Sequence, residues 1–220
     1  MFFSRISLKE GAGPSRELEG VLGTTYGLHQ AVWQLFADQS VRKRDFLYHL
    51  EGGSGTPVVY ALSARPPMPR GVLWGVDTKE FAPRLRPGSR LGFLLRANPV
   101  RTREGKRHDV VMEEKQSLRT RGAPRAAWPL EADLVQTVAS AWLERRSEGL
   151  GFRVAVVRAD GYRQMEIGKP GQKHPVCIST VEFSGVVEVV DPDLFLQRAL
   201  CEGIGPAKGF GCGLMLVRRL

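Results

Sequence analysis

Apolar residues recur along this chain with two different periods, and the periods divide it into elements. Phe2–Leu8 alternates loosely and predicts a first strand. Over residues 24–36 (TTYGLHQAVWQLF), Leu28, Val32 and Leu35 fall at i, i+4 and i+7, the spacing of one helix face, with Thr24 or Thr25 as N-cap. RDFLYHLE at 44–51 and PVVYALSA at 57–64 are β-type runs joined by the loop signal GGSGT. RPPMPRG then breaks the pattern, and a short strand is expected within 76–85.

RPGSR at 86–90 reads as a boundary, after which the pattern restarts. A strand is expected at 91–97, a short apolar piece at 110–112, and a helix at 130–146 with Leu134, Val138, Ala141 and Trp142 on one face. Residues 152–157 and 176–190 are strand-rich. Asp191-Pro192 opens a helix to Cys201, with Asp as N-cap and Pro at the first helical position, and a last strand is expected at 214–217. Each half reads as strand, helix, strand, strand and more. The expected fold is α+β, with two tandem ferredoxin-like (RRM-like) domains at 1–86 and 90–220. The RNP aromatic signature of RRM modules is missing.

Composition narrows the partner. A hydrophobic share of 42% supports a core, and 32 Lys+Arg against 23 Asp+Glu leave a net charge of +9, the footprint of a nucleic-acid binder. Three cysteines without CxxC spacing argue against a zinc site or a disulfide framework and for a reducing compartment. MFFSRISLKE is not a signal peptide, and no apolar run approaches the roughly 20 residues of a membrane span. A soluble cytoplasmic protein without membrane partners is expected.

The positive charge is concentrated. Residues 96–115 carry Arg96, Arg101, Arg103, Lys106, Arg107 and His108, and Arg119, Arg121 and Arg125 follow. A mobile basic loop of this kind suits phosphate contact. Residues 158–175 place Arg158, Arg163, Lys169, Lys173 and His174 among the turn signals ADG and KPG, which reads as a basic β-hairpin for a groove of folded RNA, or as an ordinary exposed hairpin.

GIGPAKGFGCGL at 203–214 holds five glycines and one lysine. Lys208 is not followed by Ser or Thr, so a P-loop fails, and the third glycine of GxGxxG is replaced by Lys208, so a Rossmann turn fails. No nucleotide cofactor is expected. Gly203, Gly205, Gly209 and Gly211 with Lys208 can bring backbone N–H groups and a cation to phosphates, or the glycines can serve a tight helix-to-strand crossing.

Five stretches in order, TTYGLHQAVWQLF, RDFLYHLE, FLLRANPVRT, VEFSGVVEVVDPDLF and GIGPAKGFGCGL, resemble the CasE family, the CRISPR repeat-processing endoribonuclease subunit of type I-E Cascade. The resemblance implies tandem ferredoxin-like domains, binding to the stem-loop of a CRISPR repeat transcript, cutting at the 3′ base of the stem, and retention of the product beside the other Cascade subunits. Tyr26 and His29, three residues apart on the first helix, match the family's catalytic Tyr and His. RNA supplies its own nucleophile, the 2′-OH, so a base and an acid suffice, giving a 5′-hydroxyl and a 2′,3′-cyclic phosphate or its opened form. No DxD pair or His/Asp cluster has metal-ligand spacing, so metal-free chemistry is expected. The alternative is a Cascade subunit that binds RNA with little or no cleavage.

Overall fold

The computed structural model describes residues 1–9, 25–37, 44–51, 57–68, 74–167 and 176–220. Its first half is a sheet of β1 (Phe2–Leu8), β2 (Phe46–Glu51), β3 (Val58–Ser63) and β4 (Trp74–Glu80), in the order β2-β3-β1-β4 with every neighbour antiparallel. The helix α1 (Thr25–Gln34) covers one face. Its Leu28, Ala31 and Val32 pack with Leu35 and Phe36 on Ile6, Phe46, Tyr48, Val59, Ala61 and Trp74. Strand residues alternate between faces, so Leu47 and Leu62 point the other way. They meet Leu214 of the second half, and this small apolar cluster joins the two sheets.

The second half repeats the plan. β5 (Arg90–Ala97), β8 (Phe152–Ile167), β9 (Val176–Val189) and β10 (Met215–Arg219) form an antiparallel sheet in the order β10-β5-β9-β8. In both sheets the fourth strand lies beside the first, and the third separates the first from the second. This is the ferredoxin-like order, and the chain has two such domains. Between β5 and β8 lie β6 (Val100–Arg103), β7 (Lys106–Asp109), α2 (Val110–Thr120) and α3 (Glu131–Ser147). After β9 the chain enters a helix at Pro192–Leu194, capped by Asp191 Oδ1 on the N–H groups of Asp193 and Leu194, and continues π-helically over Phe195–Cys201.

Four expectations change. The basic segment 96–115 is not a loop: it leaves β5, turns through the β6–β7 hairpin and enters α2. The apolar pair Val110–Val111 begins that helix, because Asp109 Oδ1 accepts from the N–H groups of Val111 (2.7 Å) and Met112 (3.1 Å). The strand expected within 76–85 is β4, displaced to Trp74–Glu80 by its pairing with β1. On α3 the buried face is Leu134, Val135, Ala139, Trp142 and Leu143, while Val138 and Ala141 are half-buried, because the helix leans on β8. β8 runs ten residues beyond the expected 157, since register shifts at Val154/Val156 and Asp160/Arg163 absorb the residues that break alternation.

Candidate active site

Residues 203–214 lie on the first half. Ile204 N donates to Gly213 O (2.9 Å) and Gly213 N to Arg96 O (2.7 Å), which closes the segment on itself and ties it to β5. Gly203 has φ +81°, and a Cβ there would stand 2.7 Å from Leu47 Cδ1 and 2.9 Å from Gly213 O. At Gly211 (φ +77°) a Cβ would stand 3.1 Å from the Tyr48 ring. Both positions need glycine for conformation and for contact with β2. A Gly205 Cβ would approach the Trp142 ring to 3.3 Å.

This docking puts the Gly209 carbonyl against α1. It accepts from His29 Nδ1 (2.5 Å) and from the Tyr48 hydroxyl (3.0 Å). A carbonyl has no proton to give, so neutral His29 carries its hydrogen on Nδ1 and its lone pair on Nε2. The Phe210 and Trp33 rings flank the imidazole, with centroids 5.1 and 5.8 Å away. Burial pushes the Tyr48 phenol upward, which keeps it a donor. Burial pushes the neighbouring Cys212 thiol up to about 12, so it is an inert packing group. Arg44, just before β2, reaches the same place.

Tyr26 stands in the first turn of α1, three residues before His29, and its side chain lies outside the described residues. Lys208 Nζ donates to Glu202 O (2.6 Å) at the end of the last helix. Burial, followed by the charge of Arg44, lowers its pKa.

The other basic residues belong to the second half. Arg96 is half-buried and pairs with Glu182. Arg101 pairs loosely with Glu113 (3.7 Å), while Arg103, Lys106 and Arg107 are exposed on the β6–β7 hairpin. Trp142 Nε1 (2.9 Å) and Arg146 Nη2 (3.0 Å) donate to Val100 O and anchor that hairpin on α3. Between the hairpin, α2 and α3 lies an open groove of about 840 Å³, where Arg101, Arg103, His108, Arg121 and Arg145 are mixed with Glu113 and Glu114. On β8, Arg158 pairs with Asp160 (2.7 Å) and Arg163 is exposed, while Lys169, Lys173 and His174 lie outside the described residues.

Tyr48 and Arg44 escape a sequence reading, since in RDFLYHLE they look like strand and loop residues with no chemical spacing. His49, beside them, is 6% exposed, and its Nδ1 has no hydrogen-bond partner among the described residues. Burial, and then the charge of Arg96, holds its pKa down to about 4. The unfolded chain therefore binds a proton near pH 6.5 that the folded chain refuses until about pH 4, and stability falls as pH drops through that window. Urea unfolding at pH 7 and pH 5 is expected to show on the order of 2 kcal/mol of acid destabilisation that His49→Leu removes. An equal loss in that variant would assign the effect to other groups.

Among the described residues no three His, Cys, Asp or Glu side chains converge to hold a metal ion, and no helix is long and apolar enough to cross a membrane.

Comparison with known proteins places these features in context. A family model described as CRISPR associated protein matches residues 1–219. The CRISPR system Cascade subunit CasE of Escherichia coli (strain K12) is 33% identical over 193 residues, covering 86% of this chain and 89% of that one. The CRISPR-associated endoribonuclease Cse3 of Thermus thermophilus is 30% identical over 220 residues, covering 92% and 94%. A solved structure of Thermus thermophilus Cse3 bound to an RNA representing a pre-cleavage complex superposes with a TM-score of 0.73 at 28% identity, covering 99% of this chain and 98% of that one.

Proposed function

Because the chain belongs to the CRISPR associated protein family, we propose that it is an endoribonuclease that cuts the stem-loop of CRISPR repeat transcripts and keeps the product as a subunit of Cascade. The observation that carries this reading is the His29–Gly209 contact, which sets one imidazole tautomer at the seam of two RNA-binding-type domains.

The 2′ oxygen attacks the adjacent phosphorus, the bond to the 5′ oxygen breaks, and that oxygen takes up a proton. The products are a 2′,3′-cyclic phosphate and a 5′-hydroxyl. His29 moves a proton through Nε2, while Nδ1–H stays on Gly209 O. Tyr26, less than one helical turn away, is the second proton-transfer group at the 2′-OH or the leaving oxygen. No metal enters these steps.

The exposed cations Arg101, Arg103, Lys106, Arg107, Arg158 and Arg163, with Lys169 and Lys173, hold the RNA backbone, and Lys208 and the half-buried 205–210 backbone face the cut strand, whereas Gly203 and Gly211 are buried against β2. Stem shape and splayed bases supply selectivity, because the A-form major groove is hard to read. We take 1–86 and 90–220 as the two domains; the end of β4 at Glu80 and the start of β5 at Arg90 support that division. Its three cysteines are free thiols, and we place its work in the cytoplasm, where repeat transcripts are made.

End-labelled repeat RNA incubated with excess protein in EDTA tests the reading. One cut at the 3′ base of the stem, at the same rate with and without EDTA and with the RNA still bound, is expected. Binding without any cut would leave a holding subunit.

A further inference from the structure

Among the described residues Arg44 is a cation without a counter-ion. Its side chain is half-buried, and burial lowers its pKa. Among the described residues it has no carboxylate or hydrogen-bond partner. The carboxylate next to it in sequence, Asp45, is held by Arg65 Nε at 2.7 Å, and Glu202 is held by Arg198 at 3.1 Å. The nearby charge is a second cation, Lys208, whose ammonium is engaged by Glu202 O. A guanidinium that has lost much of its water with no anion opposite is costly. It is retained where an anion arrives from outside.

Where that anion sits follows from Gly209. At the point a Gly209 Cβ would occupy, Arg44 Nη1 is 3.5 Å away and His29 Cε1 is 3.6 Å away. The guanidinium and the imidazole therefore flank one small space kept open by the missing side chain. A phosphate, with charge-assisted contacts of about 2.8 Å, can reach both at once.

We propose that Arg44 is a further catalytic residue, which donates to the non-bridging oxygens of the scissile phosphate in the space between its guanidinium and His29. The inference rests on the endoribonuclease reading. Charge grows on those oxygens as the 2′ oxygen adds, so the contact strengthens in the transition state and acts on rate more than on affinity. Lys208 gives one of its three N–H donors to Glu202 O, which draws its ammonium toward the end of the last helix.

Single-turnover cleavage of repeat RNA, with affinity measured separately on RNA carrying a 2′-deoxy sugar at the cut, tests the proposal. Arg44→Ala is expected to lower the rate by about 10²–10³ while Kd changes less than about tenfold. Millimolar guanidinium is expected to restore part of the lost rate, which a folding defect would not allow. Gly209→Ala is a second variant. Its methyl makes only ordinary contacts, so the fold stays, but it fills the space and is expected to slow cleavage comparably. Arg44→Ala cutting at the wild-type rate overturns this proposal alone. So does a slow Arg44→Ala that guanidinium leaves unchanged, or a Gly209→Ala that cuts normally. Wild-type protein that binds and never cuts overturns the nuclease reading, and this inference falls with it.

Discussion

His29→Ala is expected to hold repeat RNA almost as well as the parent and to cut it about 10²–10⁴ times more slowly. The size follows from the role. In the proposed reaction the imidazole moves a proton in the step that breaks the chain, and neither Tyr48 nor Cys212 can stand in for it, because burial drives the Tyr48 phenol upward and the Cys212 thiol up to about 12. Affinity is spared because the exposed cations assigned to the RNA backbone, Arg101, Arg103, Lys106, Arg107, Arg158 and Arg163, lie on the second half and outside α1. Nor does the fold depend on the ring, which is half-buried at the end of a contact rather than inside the core. Single-turnover rates at saturating protein, with a gel-shift Kd beside them, separate the two quantities. A variant that loses binding and cleavage in the same proportion would make His29 an RNA contact instead of a proton carrier.

Gly203→Ala is expected to destabilise the protein by about 2–5 kcal/mol. Of this, about 1–2 comes from placing a Cβ in the left-handed region and the rest from overlap with Leu47 and Gly213 O. Gly88 supplies the control. Its φ of +80° is nearly the same, but nothing lies within 4 Å of its Cβ position, so Gly88→Ala shows the conformational cost alone. The difference between the two unfolding midpoints in urea measures how tightly the segment must lie on β2. Equal losses would sink the packing argument. The consequence reaches the site as well. Moving Gly203 off Leu47 shifts the Gly209 carbonyl from His29 and Tyr48, so the folded fraction of Gly203→Ala is expected to cut more slowly than the parent.

Much of the architecture is legible in the residue pattern. Leu28, Val32 and Leu35 marked α1 because a helix must hide one stripe, and Asp191-Pro192 marked the last helix because a cap and a fixed φ start one locally. The basic segment 96–115 defeated the same logic. Its helix α2 gathers three apolar residues at its start and then has only Leu118, and its hairpin carries charge on both strands, so neither period appears. β8 was cut short for a related reason, since bulges erase the alternation on which a strand is recognised.

By itself the sequence determined the α+β class, the repeat of one plan in two halves, the basic character that points to RNA, and Tyr26 and His29 on one helix, because each rests on residue type or on spacing within a few turns. Tertiary structure alone decided the strand order of each sheet and the making of the site. Gly209 lies 180 residues from His29 and 161 from Tyr48, and no local rule connects them. Their meeting depends on Leu47, Leu62 and Leu214 burying one face of each sheet against the other, and on a glycine at 203 that lets the backbone come that close. The tautomer of His29 and the half-buried charge of Arg44, without a carboxylate partner among the described residues, are products of that burial.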